Sequence, residues 1–173
     1  MTGDGRVGIG AGSIYAVDIN PGRVRMVRES ADAQGVGGMV HTLATDLRVL
    51  AEAGVLGGGV EADRVLLDAP CSGLGVLSKR ADLRWRRGAE GVRELAHLQD
   101  ELLHAAGGMV RVGGVLVYST CSIEEEENEE RIRFFLATHA VRPSHRDAFF
   151  FSFFFGVFLI EKEGGNGSKG RWK

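Results

Sequence analysis

Cys71 and Cys121 are the only two cysteines in this chain of 173 residues, and each closes an apolar run. The first run is Leu66-Leu67-Asp68-Ala69-Pro70-Cys71-Ser72-Gly73, the second Val117-Tyr118-Ser119-Thr120-Cys121-Ser122. Such runs read as buried strands, and in an open α/β sheet both thiols would then lie at strand ends, where ligands bind. A thiolate adds readily to an electron-poor carbon, and a second thiol beside it can move a proton or assist release of the adduct. The plainer reading is that each cysteine packs as a small hydrophobe. A disulfide is a weaker rival. Strand-end thiols need not have Cβ atoms in bonding range, and two cysteines without a secretory signal suggest a reducing compartment.

The elements that must position these thiols follow from periodicity. Residues 13–17 form a strand ending at Asp18, and Pro21 opens a helix carrying Arg23, Val24, Met26 and Val27. A second strand covers 38–44 with Asp46 just beyond it, then a helix runs through Leu50 and a Gly-rich loop spans 54–59. Residues 65–67 are the third strand. Between about 92 and 110, Leu95, Leu98, Leu102 and Met109 recur at helical spacing, which Gly113 and Gly114 stop. Residues 115–119 form the fourth strand, and Ser122 with Glu125 predicts a capping box for a helix whose Ile132, Phe135 and Leu136 face the core. The expected fold is therefore α/β, a doubly wound, mostly parallel sheet with right-handed crossovers.

Length and composition suit one globular domain, with 44% hydrophobic residues. The net charge of −2 does not by itself suggest a nucleic-acid binder. Locally, however, Lys79, Arg80, Arg84, Arg86 and Arg87 surround Trp85, a cationic and aromatic segment suited to phosphate contact and base stacking. An ordinary solvated helix start is the plain alternative. The apolar run 148–160 holds seven phenylalanines and is shorter than the ~20 residues a spanning helix needs. It reads as a terminal antiparallel strand pair.

The stretch from Asp63 to Glu130 resembles the RNA 5-methylcytosine methyltransferases, the Sun/Nop family that includes the bacterial 16S ribosomal RNA cytosine methyltransferase. The likeness rests on Asp68-Ala69-Pro70-Cys71-Ser72-Gly73, on Ser119-Thr120-Cys121-Ser122 with Glu127-Asn128-Glu129 after it, and on the Leu95-x-x-Leu98-Gln99 helix and Gly-Gly turn between. It extends over roughly residues 14–163, which sets the expected boundaries: a remnant start at 1–13, a partial catalytic domain at 14–163 and a disordered tail at 164–173.

The resemblance implies a Rossmann-like fold that uses S-adenosylmethionine. It implies that Asp18 meets the donor ribose, Asp46 lies near the adenine, and Asp68 borders both donor and target base. Without it, these aspartates read as turn or cap residues. The same resemblance assigns Cys121 as the thiol that adds to cytosine carbon 6, with transfer of the methyl to carbon 5. Cys71 then helps remove the carbon 5 proton and expel Cys121. Asp68 could hydrogen-bond ring nitrogen 3 and the amino group, donating only if burial raises its pKa. A helix start just after Cys121 would favour its thiolate, and most of the acidic run 124–130 reads as a solvated face. DNA cytosine methyltransferases instead use the cysteine of a Pro-Cys motif, here Cys71. By either thiol the base must leave its stack.

The chain departs from the family at its start, where a first strand, a Gly-rich donor loop and a lysine are expected. The Gly8-Ile9-Gly10-Ala11-Gly12 stretch lacks the strand and helix that such a loop needs, and reads as a plain loop. The chain therefore looks truncated, with the missing strand central, between those ending at Asp18 and Asp68. Ala81 stands where relatives often carry proline. The expected partner is RNA, ribosomal before transfer RNA, with no membrane, no metal and a monomeric chain; a non-catalytic RNA-binding fragment is the rival function. With no export signal or transit peptide in view, cytoplasm is the expected compartment, or an organelle if a presequence is missing.

Overall fold

A computed structural model describes residues 12–53, 61–76, 89–138, 156–163 and 171–172. The fold is α/β, with parallel strand pairs and an antiparallel closing strand. The chain divides into two compact units, Met1–Val49 and Leu50–Lys173, where the sequence reading had one domain.

In the first unit β1 (Ile14–Asp18) and β2 (Val40–Ala44) pair in parallel, Ile14 opposite Val40 through Asp18 opposite Ala44. The crossover is α1 (Pro21–Ala33). Its start is set by Asn20, whose side-chain oxygen accepts from the Gly22 and Arg23 amides, and by Pro21, whose fixed φ suits the first helical position. It ends before Gly35, whose φ of +73° is left-handed, where a side chain would be strained. A single 3₁₀ turn, Gly37–Met39, takes up what the periodicity assigned to the start of β2. The short helix α2 (Leu47–Glu52) follows β2.

The second unit has strand order β3-β4-β5-β6. Here β3 (Ala62–Asp68) and β4 (Val110–Thr120) are parallel, joined through α3 (Ala89–Met109). After β4 comes α4 (Glu129–Thr138), and β5 (Gly156–Glu163) then runs antiparallel to β4. The expected closing strand is thus present over the last part of the phenylalanine-rich run; 148–155 lie outside the described residues. Arg171–Trp172, expected in a disordered tail, form the two-residue strand β6 against Lys162 and Glu163 of β5. Among the described residues β1 and β3 belong to different sheets.

The α3–β4 junction differs from the pattern-based expectation. The helix ends at Met109, and Gly113-Gly114, read as the helix stop, lie inside β4. There they allow a register shift: Ala62 pairs with Val110 but Arg64 with Val115. Gly113 has φ +75°, and a Cβ on Gly114 would come within 2.8 Å of the Asp63 carbonyl oxygen, so a side chain is excluded by backbone.

The face that α3 buries is one residue on from the leucines. Ala96, Gln99, Leu103 and Ala106 are buried, whereas Leu95, Leu98, Leu102 and Met109 are only half-buried. They pack in a core with Leu67, Val110, Leu116, Tyr118, Ile132 and Phe135. A glutamine therefore occupies the centre of the buried stripe.

Candidate functional site

β3 delivers Asp68 and then the Cys71 loop. The ladder continues one step past the strand, with the Ala69 amide donating to the Ser119 carbonyl at 2.8 Å. The loop then turns at Gly73, whose φ of +73° requires glycine, into a 3₁₀ turn at Leu74–Val76. The Gly75 amide donates to the Cys121 carbonyl at 3.1 Å, so the turn after one cysteine binds the other.

The two thiols meet. Their Sγ atoms are 2.8 Å apart, and the Cys121 amide donates to Cys71 Sγ at 3.2 Å. Both residues are half-buried. Burial, reinforced by the hydrogen bond with Cys121, pushes the Cys71 thiol up to about 12. Cys71 is therefore a protonated thiol at neutral pH and can serve as the donor in the sulfur–sulfur contact.

Cys121 is held differently from the sequence expectation. No capping box forms: Ser122 Oγ accepts from the Glu124 amide at 3.1 Å, two residues on, and Glu125 pairs with Arg133. The following helix, α4, opens only at Glu129, after a 3₁₀ turn at Glu125–Glu127, so the thiol is not beside a helix N-terminus. The segment is braced by Asn128 instead. Its Nδ2 donates to the Ser122 and Glu124 carbonyls at 3.1 and 2.8 Å, and its Oδ1 accepts from Thr120 Oγ1 at 2.7 Å.

Behind the thiols is a buried polar network that the sequence reading missed. Glu127, assigned to a solvated acidic run, is fully buried, while its neighbours Glu125 and Glu126 are exposed. Its Oε1 accepts from the Ser72 amide at 2.7 Å and from Gln99 Nε2 at 3.2 Å, and its Oε2 accepts from Ser72 Oγ. Gln99 Nε2 also donates to the Pro70 carbonyl at 2.8 Å, and Tyr118 donates to the Glu127 carbonyl at 2.8 Å. The Tyr118 phenol is raised by burial and by the Glu127 charge. The available signal was that Gln99 sits on the helical stripe of α3 between the two cysteine blocks and that Glu127 belongs to the Glu127-Asn128-Glu129 motif after the second.

The three aspartates all stand at carboxyl ends of parallel strands. In the first unit Asp18 closes β1 and its carboxylate is gripped by Arg23, Nε to Oδ2 at 2.6 Å and Nη2 to Oδ1 at 2.7 Å, which holds its pKa below the usual value. Asp46, two residues after β2, is likewise lowered by Arg48, whose Nη2 lies 2.6 Å from Oδ2. In the second unit Asp68 accepts from Ser119 Oγ at 3.2 Å. It is exposed, whereas donation to a ring nitrogen calls for burial. The RNA-contact candidates Lys79, Arg80, Arg84, Trp85 and Arg87 lie outside the described residues. Among the described residues no three His, Cys, Asp or Glu side chains gather as a metal set, and no helix is long and apolar enough to cross a membrane.

Parallel strands with carboxylates and a thiol pair at their carboxyl ends define a Rossmann-like α/β fold of the methyltransferase class. The family model described as 16S rRNA methyltransferase RsmB/F matches residues 7–152, and the chain belongs to that family. It is 34% identical over 128 residues to the probable ribosomal RNA small subunit methyltransferase B of Bacillus subtilis, a match covering 74% of this chain and 28% of that protein. It is 50% identical over 80 residues to ribosomal RNA small subunit methyltransferase B of Klebsiella pneumoniae, covering 46% of this chain and 19% of the relative. The chain thus spans under a third of these relatives. Among solved structures it is similar to PH0851, with TM-score 0.73 and 36% identity over 87% of this chain and 37% of the other. It is also similar to NSun6 from Pyrococcus horikoshii, solved with SFG, with TM-score 0.68 and 31% identity over 93% of this chain and 39% of the other.

Proposed function

We propose that the protein is an S-adenosylmethionine-dependent RNA cytosine-5 methyltransferase acting on ribosomal RNA in the cytoplasm. The observation that carries the reading is the pair of half-buried thiols in contact at the ends of β3 and β4. Relatives named as ribosomal RNA methyltransferases favour that RNA over transfer RNA.

The donor fits the residues present. Carboxylate oxygens accept hydrogen bonds only, as ribose hydroxyls require, and Asp18 keeps a lone pair beyond those that Arg23 and the Asn20 amide use. Asp18 and Asp46 would hold the donor, and the donor supplies an electrophilic methyl group. The relative solved with SFG supports this choice.

Cytosine carbon 5 is a poor nucleophile until a thiolate adds at carbon 6. Cys121 Sγ loses its proton to solvent, forms that bond as the thiolate, and carbon 5 then takes the methyl. Because Cys71 stays protonated, it can donate to one lone pair of the Cys121 sulfur, steadying the thiolate while another lone pair attacks the ring. Release breaks the carbon–sulfur bond and the carbon 5–hydrogen bond. Cys71 hands its proton to the departing Cys121 sulfur and takes the carbon 5 proton in its place, so the step balances.

Cys71→Ala should form the RNA adduct and fail to release it, with turnover reduced by about 10²–10⁴-fold, the range of a lost acid–base group. Cys121→Ala should form no adduct and transfer no tritiated methyl. An adduct that forms in Cys121→Ala but not in Cys71→Ala would reverse the two roles, and transfer to transfer RNA alone would change the substrate. Adduct formation by neither variant nor the wild type would leave an RNA-binding module.

A further inference from the structure

We propose that Glu127 is a positioning residue, a buried carboxylate that clasps the Cys71 loop to the Cys121 segment and so sets the distance between the two thiols. The inference deepens the cysteine chemistry proposed above and rests on it. Glu127 comes six residues after Cys121 on the same braced segment, and its carboxylate reaches across to the residue next to Cys71. Ser72 gives it both of its donors, amide and hydroxyl, and Gln99 adds a third from α3. Ser72 Oγ also lies 3.3 Å from Ser122 Oγ, so the residues immediately following the two cysteines touch each other under the carboxylate.

The arrangement suits a clasp better than a packing element. A carboxylate taken fully out of water is costly unless donors surround it, and an apolar residue would fill the same space without that cost. What the carboxylate adds is direction. Its two oxygens fix the Ser72 amide and hydroxyl at once, which orients the peptide immediately after Cys71. The Gly75–Cys121 hydrogen bond closes the loop on its far side. A misplacement of about 1 Å between reacting groups can lower a rate by about 100-fold, so a clasp one residue from a reacting thiol has a large effect.

The test separates thiol placement from methyl transfer. Diamide, a diazene oxidant, takes one hydrogen from each thiol as the sulfur–sulfur bond forms, and mass spectrometry reads the loss of two hydrogens. Closure should slow by about tenfold or more in Glu127→Ala. It should stay within about threefold of wild type in Glu127→Gln, whose amide oxygen still accepts from the Ser72 amide and whose NH₂ can donate to a turned Ser72 hydroxyl. In methyl transfer, Glu127→Ala should lower kcat by about 100-fold at unchanged KM for RNA, with Glu127→Gln largely restored. Ser72→Ala, which keeps the amide donor and deletes only the hydroxyl, gives an intermediate slowing and serves if Glu127→Ala fails to fold. Folded Glu127→Ala, or Ser72→Ala in its place, closing the disulfide at the wild-type rate overturns the clasp. Equal losses in the Gln and Ala variants also overturn it. Loss of closure in Glu127→Ala when even the wild type transfers no methyl keeps the clasp and removes the methyltransferase reading instead.

Discussion

In the first unit, the carboxylates at the strand ends are half-buried and are held by arginines a few residues downstream, Asp18 by Arg23 and Asp46 by Arg48. In the second, the strand ends carry half-buried thiols, and the one carboxylate behind them, Glu127, is fully buried and held by an amide, a hydroxyl and a glutamine. The difference fits the roles proposed for the two sets of groups. A carboxylate proposed to meet a polar ligand can be oriented by a nearby cation. A thiol proposed to hold or pass a proton gains from burial, which keeps Cys71 protonated. Its support must then be hydrogen-bonded without water.

Substitutions in both units test this contrast. The largest effect on binding is expected from Asp18→Ala, which removes charge-assisted acceptors at the proposed ribose contact. Donor affinity measured by calorimetry should fall by about 10–100-fold while the melting temperature barely moves. A large loss of stability would show that the carboxylate is structural. Gln99→Leu reverses that pattern. It leaves the Pro70 carbonyl without its side-chain donor and Glu127 with one fewer, and should cost about 1–3 kcal/mol in urea unfolding, since the group is fully buried. Tyr118→Phe deletes one buried hydrogen bond to the Glu127 carbonyl and should cost about 1 kcal/mol by the same measurement.

The pH dependence should separate the two regions most finely. Asp18 and Asp46 are lowered in the fold, so their stabilisation is present above the ordinary carboxylate range and is lost as acid protonates them. Cys71 is raised, so its contribution is complete below its ordinary value of 9.0 and disappears as pH rises toward about 12. The stability difference between wild type and Cys71→Ser should therefore change on the alkaline side. That between wild type and an Asp18→Asn, Asp46→Asn double variant should change on the acid side. Parallel curves would remove the distinction.

Much of the fold was legible because the periodicities are local. β1 and the Pro21 start of α1 follow from an apolar run, an aspartate and a proline, and α3 and β4 follow from a helical spacing and an apolar run. The errors came where backbone geometry overrode local pattern. Gly113-Gly114 looked like a helix stop and is a register shift, because the approach of Asp63 to Gly114 exists only once β3 and β4 are paired. Ser122 and Glu125 have capping-box spacing, yet Ser122 turns back on Glu124 and Arg133 takes Glu125.

Residue type and spacing are sufficient for the two cysteine blocks, the strand-end aspartates and the alternation of strands and helices. Folding is what brings the thiols to 2.8 Å across 50 residues of chain and leaves Glu127, alone among the glutamates of its run, fully buried against Ser72. Burial and hydrogen-bond partners depend on which segments the fold brings together. In a run of similar glutamates, nothing local distinguishes the one that will meet the opposite loop.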